Sequence, residues 1–257
     1  MPTSHPARPD DGYLTITTTV AAGTATVRLH GTLSAGNRPG LVDHLSASLP
    51  VFDRVVVDLD GLRVERLDLL AAFGEAVDRA GGWPHARLGL VTGDAALTEA
   101  LRVSGVADQV AVAQAHEPAR QGCDRRPGVV HACWTFAHDA TSPGAARRVV
   151  RAKLVEWQAT DQVDADDLAL VVGELATNAV DHADSPYTVT ARLDHDLLHL
   201  VVADQATATP ALQPVDPAAA RGRGLQMVAA AATDWGWQRT ASGKQLWADF
   251  RLTGEPG

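Results

Sequence analysis

The sequence predicts an α/β (α+β) chain in two domains, and three observations carry that expectation. Strand-like runs alternate with helix-like runs through the first half, which implies a sheet covered by helices. A stretch at 115–128, "AHEPARQGCDRRPG", holds two prolines, two glycines and several charges without periodicity, and reads as a linker. The second half then resumes with amphipathic helices and alternating hairpins. A length of 257 residues fits two small domains better than one large one.

Composition narrows the function classes. The chain is 46% apolar and 21% charged, as an ordinary globular protein is. No run approaches the ~20 apolar residues that a membrane span requires. The N-terminus, "MPTSHPARPDDGY", has no basic segment followed by an apolar core, so no export signal is visible; residues 1–12 read as a disordered N-terminus and the protein as cytoplasmic. A net charge of −9 disfavours a chain that neutralises nucleic-acid phosphates. The one basic cluster, "ARRVVRAK" at 146–153, has helical spacing and reads as a solvated face, or as a patch for an acidic partner. Cys123 and Cys133 lack metal-site spacing and read as a reduced, incidental pair.

The first domain is expected over 13–114. "YLTITTTV" and "TATVRLHG" alternate around Ala21-Ala22-Gly23 and predict a hairpin. A helix follows from about Asn37 to Leu49, then the apolar strand "RVVVDLDGL", a helical run from about Leu67 to Ala80, the strand "ARLGLV", a helix opened by Asp94 and a short strand near "DQVAV". The second domain, 129–257, opens with the strand "VVHACWTFA". In "TSPGAARRVVRAKLVEWQ", Ser142 is placed as N-cap and Pro143 as the first helical residue, with Ala146, Val149, Val150, Leu154 and Trp157 as the apolar stripe. Asp164 caps the next helix, Asp184-Ser185-Pro186 breaks the chain, and "YTVTARL" and "LLHLVVAD" form a hairpin around Asp194-His195-Asp196. A Pro- and Ala-rich loop at 205–220 leads into a glycine-opened helix, "RGRGLQMVAAAATDW", and the chain closes with "WGWQR" and "QLWADFRL" turning at Ser242-Gly243.

The helix after Asp164 carries the chemistry. Leu168, Val171, Val172, Leu175 and Ala179 share one face, and Leu170, Ala176 and Val180 make another side apolar as well. Glu174, Asn178 and His182 then fall on one flank, within ~80° of each other. A polar stripe on a buried helix must meet polar partners or carry a large desolvation cost. A carboxylate and an amide oxygen on neighbouring turns suit a hard cation such as Mg²⁺, which keeps waters and substrate phosphates in its shell; an internal hydrogen-bond network would satisfy them equally. Downstream, Asp204 ends an apolar strand and Gly222-Arg223-Gly224 opens a helix, where backbone amides, the helix dipole and an arginine favour an anion.

In that order, residues 130–252 resemble the ATP-binding domain of the GHKL superfamily, which includes gyrases, histidine kinases and MutL relatives. "ELATNAVDHA" is similar to the N-box, and "VVADQ", "GRGLQMV" and "SGKQLWADF" to the three glycine boxes. Within the superfamily, the phrasing of "SPGAARRVVRAKL", "ELATNAVDHA" and "GRGL" resembles the anti-sigma factor serine kinases. The resemblance implies a two-layer α/β sandwich, the Bergerat fold, with ATP and Mg²⁺ as cofactors. It implies that Asn178 coordinates Mg²⁺, Glu174 acts as general base, Asp204 accepts from the adenine amino group, and Gly222, Arg223 and Gly224 hold the phosphates under a lid at 205–221. His182 reads as a packing or hydrogen-bonding residue as readily as a functional one. The chain departs from the superfamily at Gln205-Ala206-Thr207, where glycines are usual, and at Lys244-Gln245, where a Thr is frequent; both imply modified nucleotide binding.

Residues 13–115 resemble a STAS domain, the fold of anti-sigma factor antagonists, through "TATVRLHGTLSAGNRPGLVDHL" and "RVVVDLDGLRVERLDLLAAF". That family shows Asp-Ser-Ser-Gly at its phosphorylation loop. This chain has Arg66-Leu67-Asp68-Leu69, with no hydroxyl to accept phosphate and with Asp68 aligned to the target serine. Asp68 reads either as a fixed mimic of phosphoserine or as a helix cap or first-turn acid. The combined resemblance implies an ATP-binding anti-sigma factor and serine protein kinase, regulating a sigma factor by partner switching, with a tethered STAS-like domain that cannot be phosphorylated. The alternative is a non-catalytic, ATP-sensing binding module. Implied partners are a sigma factor or a separate STAS protein and the intramolecular STAS-like domain; homodimerisation is common in the family. Nucleic acid and membrane are not expected partners. No His-bearing helix pair precedes the ATP domain, against a sensor histidine kinase, and no transducer domain follows it, against a gyrase or MutL activity.

Overall fold

The computed structural model describes residues 13–206 and 224–252, which fall into two compact units, one through Gly128 and one from Val129. The expected disordered segment 1–12, most of the expected lid, and Gly222 and Arg223 lie outside the described residues. Among those described, no helix is long and apolar enough to cross a membrane.

The first unit is a five-stranded sheet in the order β1-β2-β3-β4-β5. β1 (Leu14–Ala21) and β2 (Thr24–Leu33) form the antiparallel hairpin, turning through Ala22 and Gly23, both at positive φ. β3 (Arg54–Val64), β4 (Leu88–Val91) and β5 (Ala111–Ala113) continue in parallel from β2. Helices α1 (Arg38–Ser48), α2 (Ala71–Arg79) and α3 (Ala95–Val103) supply Leu41, Leu45, Phe73, Val77 and Leu101 to one core, shared with Val55, Val57 and Leu59 of β3. The alternate residue, Val56, packs on the other face with Val91 and Ala119. Asp94 caps α3 as expected, accepting from the amides of Ala96 and Leu97.

The segment 115–128, expected as a structureless linker, contains helix α4 (His116–Gly122), and the compact division places all of it in the first unit. Pro118 falls in its first turn, where no intrahelical amide is lost. Ala119 and Cys123, one turn apart, are buried against the sheet, a short apolar stripe hidden in sequence by the charges around it. Both cysteines are free thiols, and burial raises that of Cys123 to about 11.

The second unit is a two-layer sandwich. Its sheet runs β6-β7-β8-β10-β9, antiparallel throughout. The strands are β6 (Val129–Phe136), β7 (Tyr187–Asp194), β8 (Leu197–Asp204), β9 (Asp234–Thr240) and β10 (Gly243–Arg251). Helices α5 (Ser142–Glu156), α6 (Ala165–His182) and α7 (Gly224–Ala231) cover it, with α6 packed between the other two and on β7, β8 and β10. β7, β8 and β10 alternate strictly, so Leu198, Leu200, Val202, Leu246, Ala248 and Phe250 meet the helices.

Two local expectations are corrected. The N-cap of α5 is Thr141, while Ser142 is the first helical residue and Pro143 the second. Asp139 already takes the Thr141 amide (2.8 Å) and hydroxyl (2.6 Å), which frees the Ser142 hydroxyl to donate to Asp139 O and to accept from Tyr187 on the sheet, each at 2.9 Å. The final hairpin turns at Ala241-Ser242, because Gly243 already belongs to β10 and pairs with Thr240.

Candidate functional site

Helix α6 begins where the sequence places it, with the Asp164 carboxylate accepting from the amides of Asp166 and Asp167 at 2.9 Å each. Leu168, Val171, Val172, Leu175 and Ala179 are buried, as is Ala176; Leu170 and Val180 are half-covered. The polar flank grades from inside to outside, with Glu174 and Asn178 half-buried and His182 exposed. His182 therefore lies outside the enclosed part of the stripe.

Asn178 is the anomaly on this flank. Its Oδ1 is buried and has no hydrogen-bond partner among the described residues. An internal network is the competing expectation, and leaving a buried acceptor unmade costs about 1–3 kcal/mol. An unpaired amide oxygen is an appropriate donor for a hard cation carrying waters and phosphates in the rest of its shell. Among the described residues there is no cluster of three or more His, Cys, Asp or Glu that could hold a metal unaided. The donor set therefore fits a shared ion of the Mg²⁺ type and not a fully caged one.

Glu174 sits one turn before Asn178 and faces α7. A Cβ at Gly224 would collide with the Glu174 carboxylate, so the glycine is what lets the start of α7 close over that group. Burial raises the Glu174 carboxyl above its ordinary range; Arg147 on α5 pulls it down and Asp181 raises it further. Arg147 also packs across Gly173, with Nη1 3.0 Å from where a Cβ would stand. The sequence pattern gave Arg147 as part of a basic cluster, a solvated face or a patch for an acidic partner, and not as a neighbour of Glu174.

Asp204, at the end of β8, is a charged group buried in the sandwich core. It occupies the inward phase of its strand, and directly across the ladder on β10 stands Lys244. The Lys244 ammonium donates to Asp204 Oδ1 at 3.2 Å and lies 2.9 Å from Oδ2; the Ala206 amide donates to Oδ1 at 2.7 Å. Among the described residues, Oδ2 has the ion-pair contact but no hydrogen bond. Side-chain exposure is 3% for Lys244 and 0% for Asp204. Gly243 makes the approach possible, since a Cβ there would overlap the Asp204 carbonyl. Sequence reasoning marked Lys244 as a departure from a pattern; strict alternation along "GKQLWADF" was the signal that its side chain points inward.

Of the sequence-predicted residues, Glu174 and Asn178 share one helix flank, Gly224 stands against Glu174, and Asp204 lies on a strand beneath the same helix layer. Residues 136–250 match the family model of the histidine kinase-like ATPase domain. The second unit is a histidine kinase-like ATPase domain. No curated protein matches the chain. Among solved structures, an anti-sigma factor antagonist from Mycobacterium paratuberculosis is 16% identical, covering 42% of this chain and 91% of its own, with a TM-score of 0.37. The Bacillus cell fate determinant SpoIIAA in its phosphorylated form is 14% identical, covering 42% and 96%, with a TM-score of 0.32. The RsbU and RsbW domains of a Mycobacterium tuberculosis protein are 24% identical, covering 49% of this chain and 33% of that one, with a TM-score of 0.33.

Asp68, in the first unit, is the second residue of a 3₁₀ turn, Leu67–Leu70, ahead of α2. It is a first-turn acid and makes no cap; Arg66 grips its carboxylate through two bonds, Nε to Oδ1 at 3.0 Å and Nη2 to Oδ2 at 2.7 Å.

Proposed function

We propose that the protein is an ATP-binding anti-sigma factor and serine protein kinase that regulates a sigma factor by partner switching. The observation that carries this reading is the orphaned Asn178 Oδ1 beside Glu174, inside a domain matched to the histidine kinase-like ATPase family. Asn178 would contribute its oxygen to Mg²⁺, and Asp204 Oδ2 would accept from the adenine amino group. Gly222, Arg223 and Gly224 would line the phosphates; of these only Gly224 is among the described residues. Bound Mg²⁺ would neutralise charge on the phosphates. Glu174 would take the proton from a serine hydroxyl on the protein substrate, and its raised proton affinity suits a base working near neutral pH. The STAS-like motifs of the first unit support a tethered competitor that occupies partner surfaces at roughly millimolar effective concentration. Asp68, held by Arg66, presents no hydroxyl for phosphate.

A second reading has its own observation. The Asp204 carboxylate is ion-paired with Lys244, a modification of the expected adenine site that also suits an ATP-sensing module exchanging partners without transferring phosphate. Labelled γ-phosphate separates the two. Transfer to a serine-bearing STAS protein, lost in Glu174→Ala while Mg-ATP binding survives, supports the kinase; binding without transfer to any candidate supports the switch. Absence of heat on titration with magnesium and adenine nucleotides overturns both.

A further inference from the structure

The Asp204–Lys244 pair asks for more than a structural explanation. Each residue occupies a position where its strand otherwise presents Leu, Val, Ala or Phe to the helices. An ion pair so enclosed pays a desolvation cost that an apolar pair of similar volume would avoid. It is also incompletely used. Oδ1 accepts twice, from Ala206 and Lys244, whereas Oδ2 has only the ion-pair contact with Lys244 at 2.9 Å and keeps acceptor capacity beyond it. The ammonium has three donors and no acceptor; it meets Oδ1 at 3.2 Å and Oδ2 at 2.9 Å, which leaves at least one N–H for a further acceptor. The pair thus holds a spare acceptor and a spare donor a few ångströms apart.

We infer that Lys244 is a base-contacting specificity residue, which with Asp204 reads two adjacent atoms of a purine edge: the carboxylate takes the exocyclic amino group and the ammonium donates to the neighbouring ring nitrogen. This rests on the ATP-binding reading above and deepens it. A carboxylate alone complements any donor. A carboxylate beside an ammonium complements a donor next to an acceptor, which is the order on adenine at its amino group and N1. Guanine reverses that order, with a carbonyl and then an N–H, and meets like against like at both points. Gly243 and the ladder register fix the spacing, so the reader is built on strands and not on the loop that follows Asp204.

The test is calorimetry on the full chain with Mg-ATP and with its 1-deaza analogue, in which N1 is replaced by C–H. Wild type is expected to bind the analogue about 10- to 100-fold more weakly, the value of a hydrogen bond to a charged donor. Lys244→Met should narrow that ratio to about twofold or less, and should narrow the preference for ATP over GTP in the same direction. Since the Met variant leaves a buried carboxylate unpaired, a wild-type measurement stands beside it. The ¹⁵N resonance of the Lys244 ammonium should move on adding ATP and stay in place with the analogue. Equal affinity of wild type for the two nucleotides, an unmoved ammonium signal, or full discrimination kept by the Met variant overturns the inference and leaves ATP binding intact. No binding of ATP by wild type overturns the ATP-binding reading and this inference with it.

Discussion

Each unit of the molecule sets a carboxylate against a cation at the position where the family resemblances put function, and the two pairs are physically opposite. In the first unit Arg66 and Asp68 lie two residues apart, with side chains 69% and 60% exposed. In the second, Lys244 and Asp204 are 40 residues apart in sequence, 3% and 0% exposed. Water competes for the first pair, so its bond is worth little and can be traded for another partner. No water competes for the second, so neither member can leave without stranding the other. A surface regulatory loop benefits from an exchangeable pair, and a preformed binding edge benefits from a fixed one.

Breaking the buried pair should give the largest effect. Lys244→Met is expected to cost about 3–5 kcal/mol in urea unfolding, because it leaves Asp204 as an uncompensated buried charge. Next comes relief of the orphaned acceptor. Asn178→Leu, nearly the same shape, should stabilise the domain by about 1–3 kcal/mol in the absence of ligand while abolishing Mg-ATP binding. A stability loss with binding retained would mean that Asn178 serves the core and not a ligand.

The third prediction concerns pH. Burial raises the Glu174 carboxyl in the folded state, so the folded chain binds more protons than the unfolded one between the ordinary carboxylate value and the raised one. Stability should therefore fall as pH climbs through that window. Glu174→Gln should remove this dependence and unfold at a higher temperature than wild type at neutral pH, with the difference closing below about pH 4, under the ordinary Glu value. The smallest effect belongs to the exposed pair: Arg66→Ala should change unfolding stability by about 0.2–1 kcal/mol or less. A larger loss would show that Asp68 is structurally fixed. Asp68→Ser, incubated with ATP and a serine kinase of this type, then tests whether the loop can be a substrate at all.

Local signals in the chain were strong where backbone chemistry is local. Asp94 and Asp164 cap helices because their side chains reach amides two and three residues on, a relation visible in any reading of the string. Ser142 has the same residue type and fails as a cap because Asp139 and Tyr187, the latter 45 residues away, claim the neighbouring groups. Helix α4 is not legible in the string because seven residues are too few to show a period and because its buried stripe is only Ala119 and the cap residue Cys123. In the site, Glu174 and Asn178 were legible from helical spacing and from the motifs around them, whereas the part Arg147 plays beside Glu174 was not, since it comes from a different helix.

The sequence by itself determined the two α/β domains, the order of their elements and the polar flank of α6, because periodicities of two and near four record which face of an element meets a core. Only the tertiary structure decided that Asn178 Oδ1 finds no partner among the described residues, that Gly224 closes on Glu174, and that Lys244 answers Asp204 across the ladder. Those facts depend on strand register and on the approach of separate elements to within a few ångströms, and a one-dimensional pattern carries no measure of that distance.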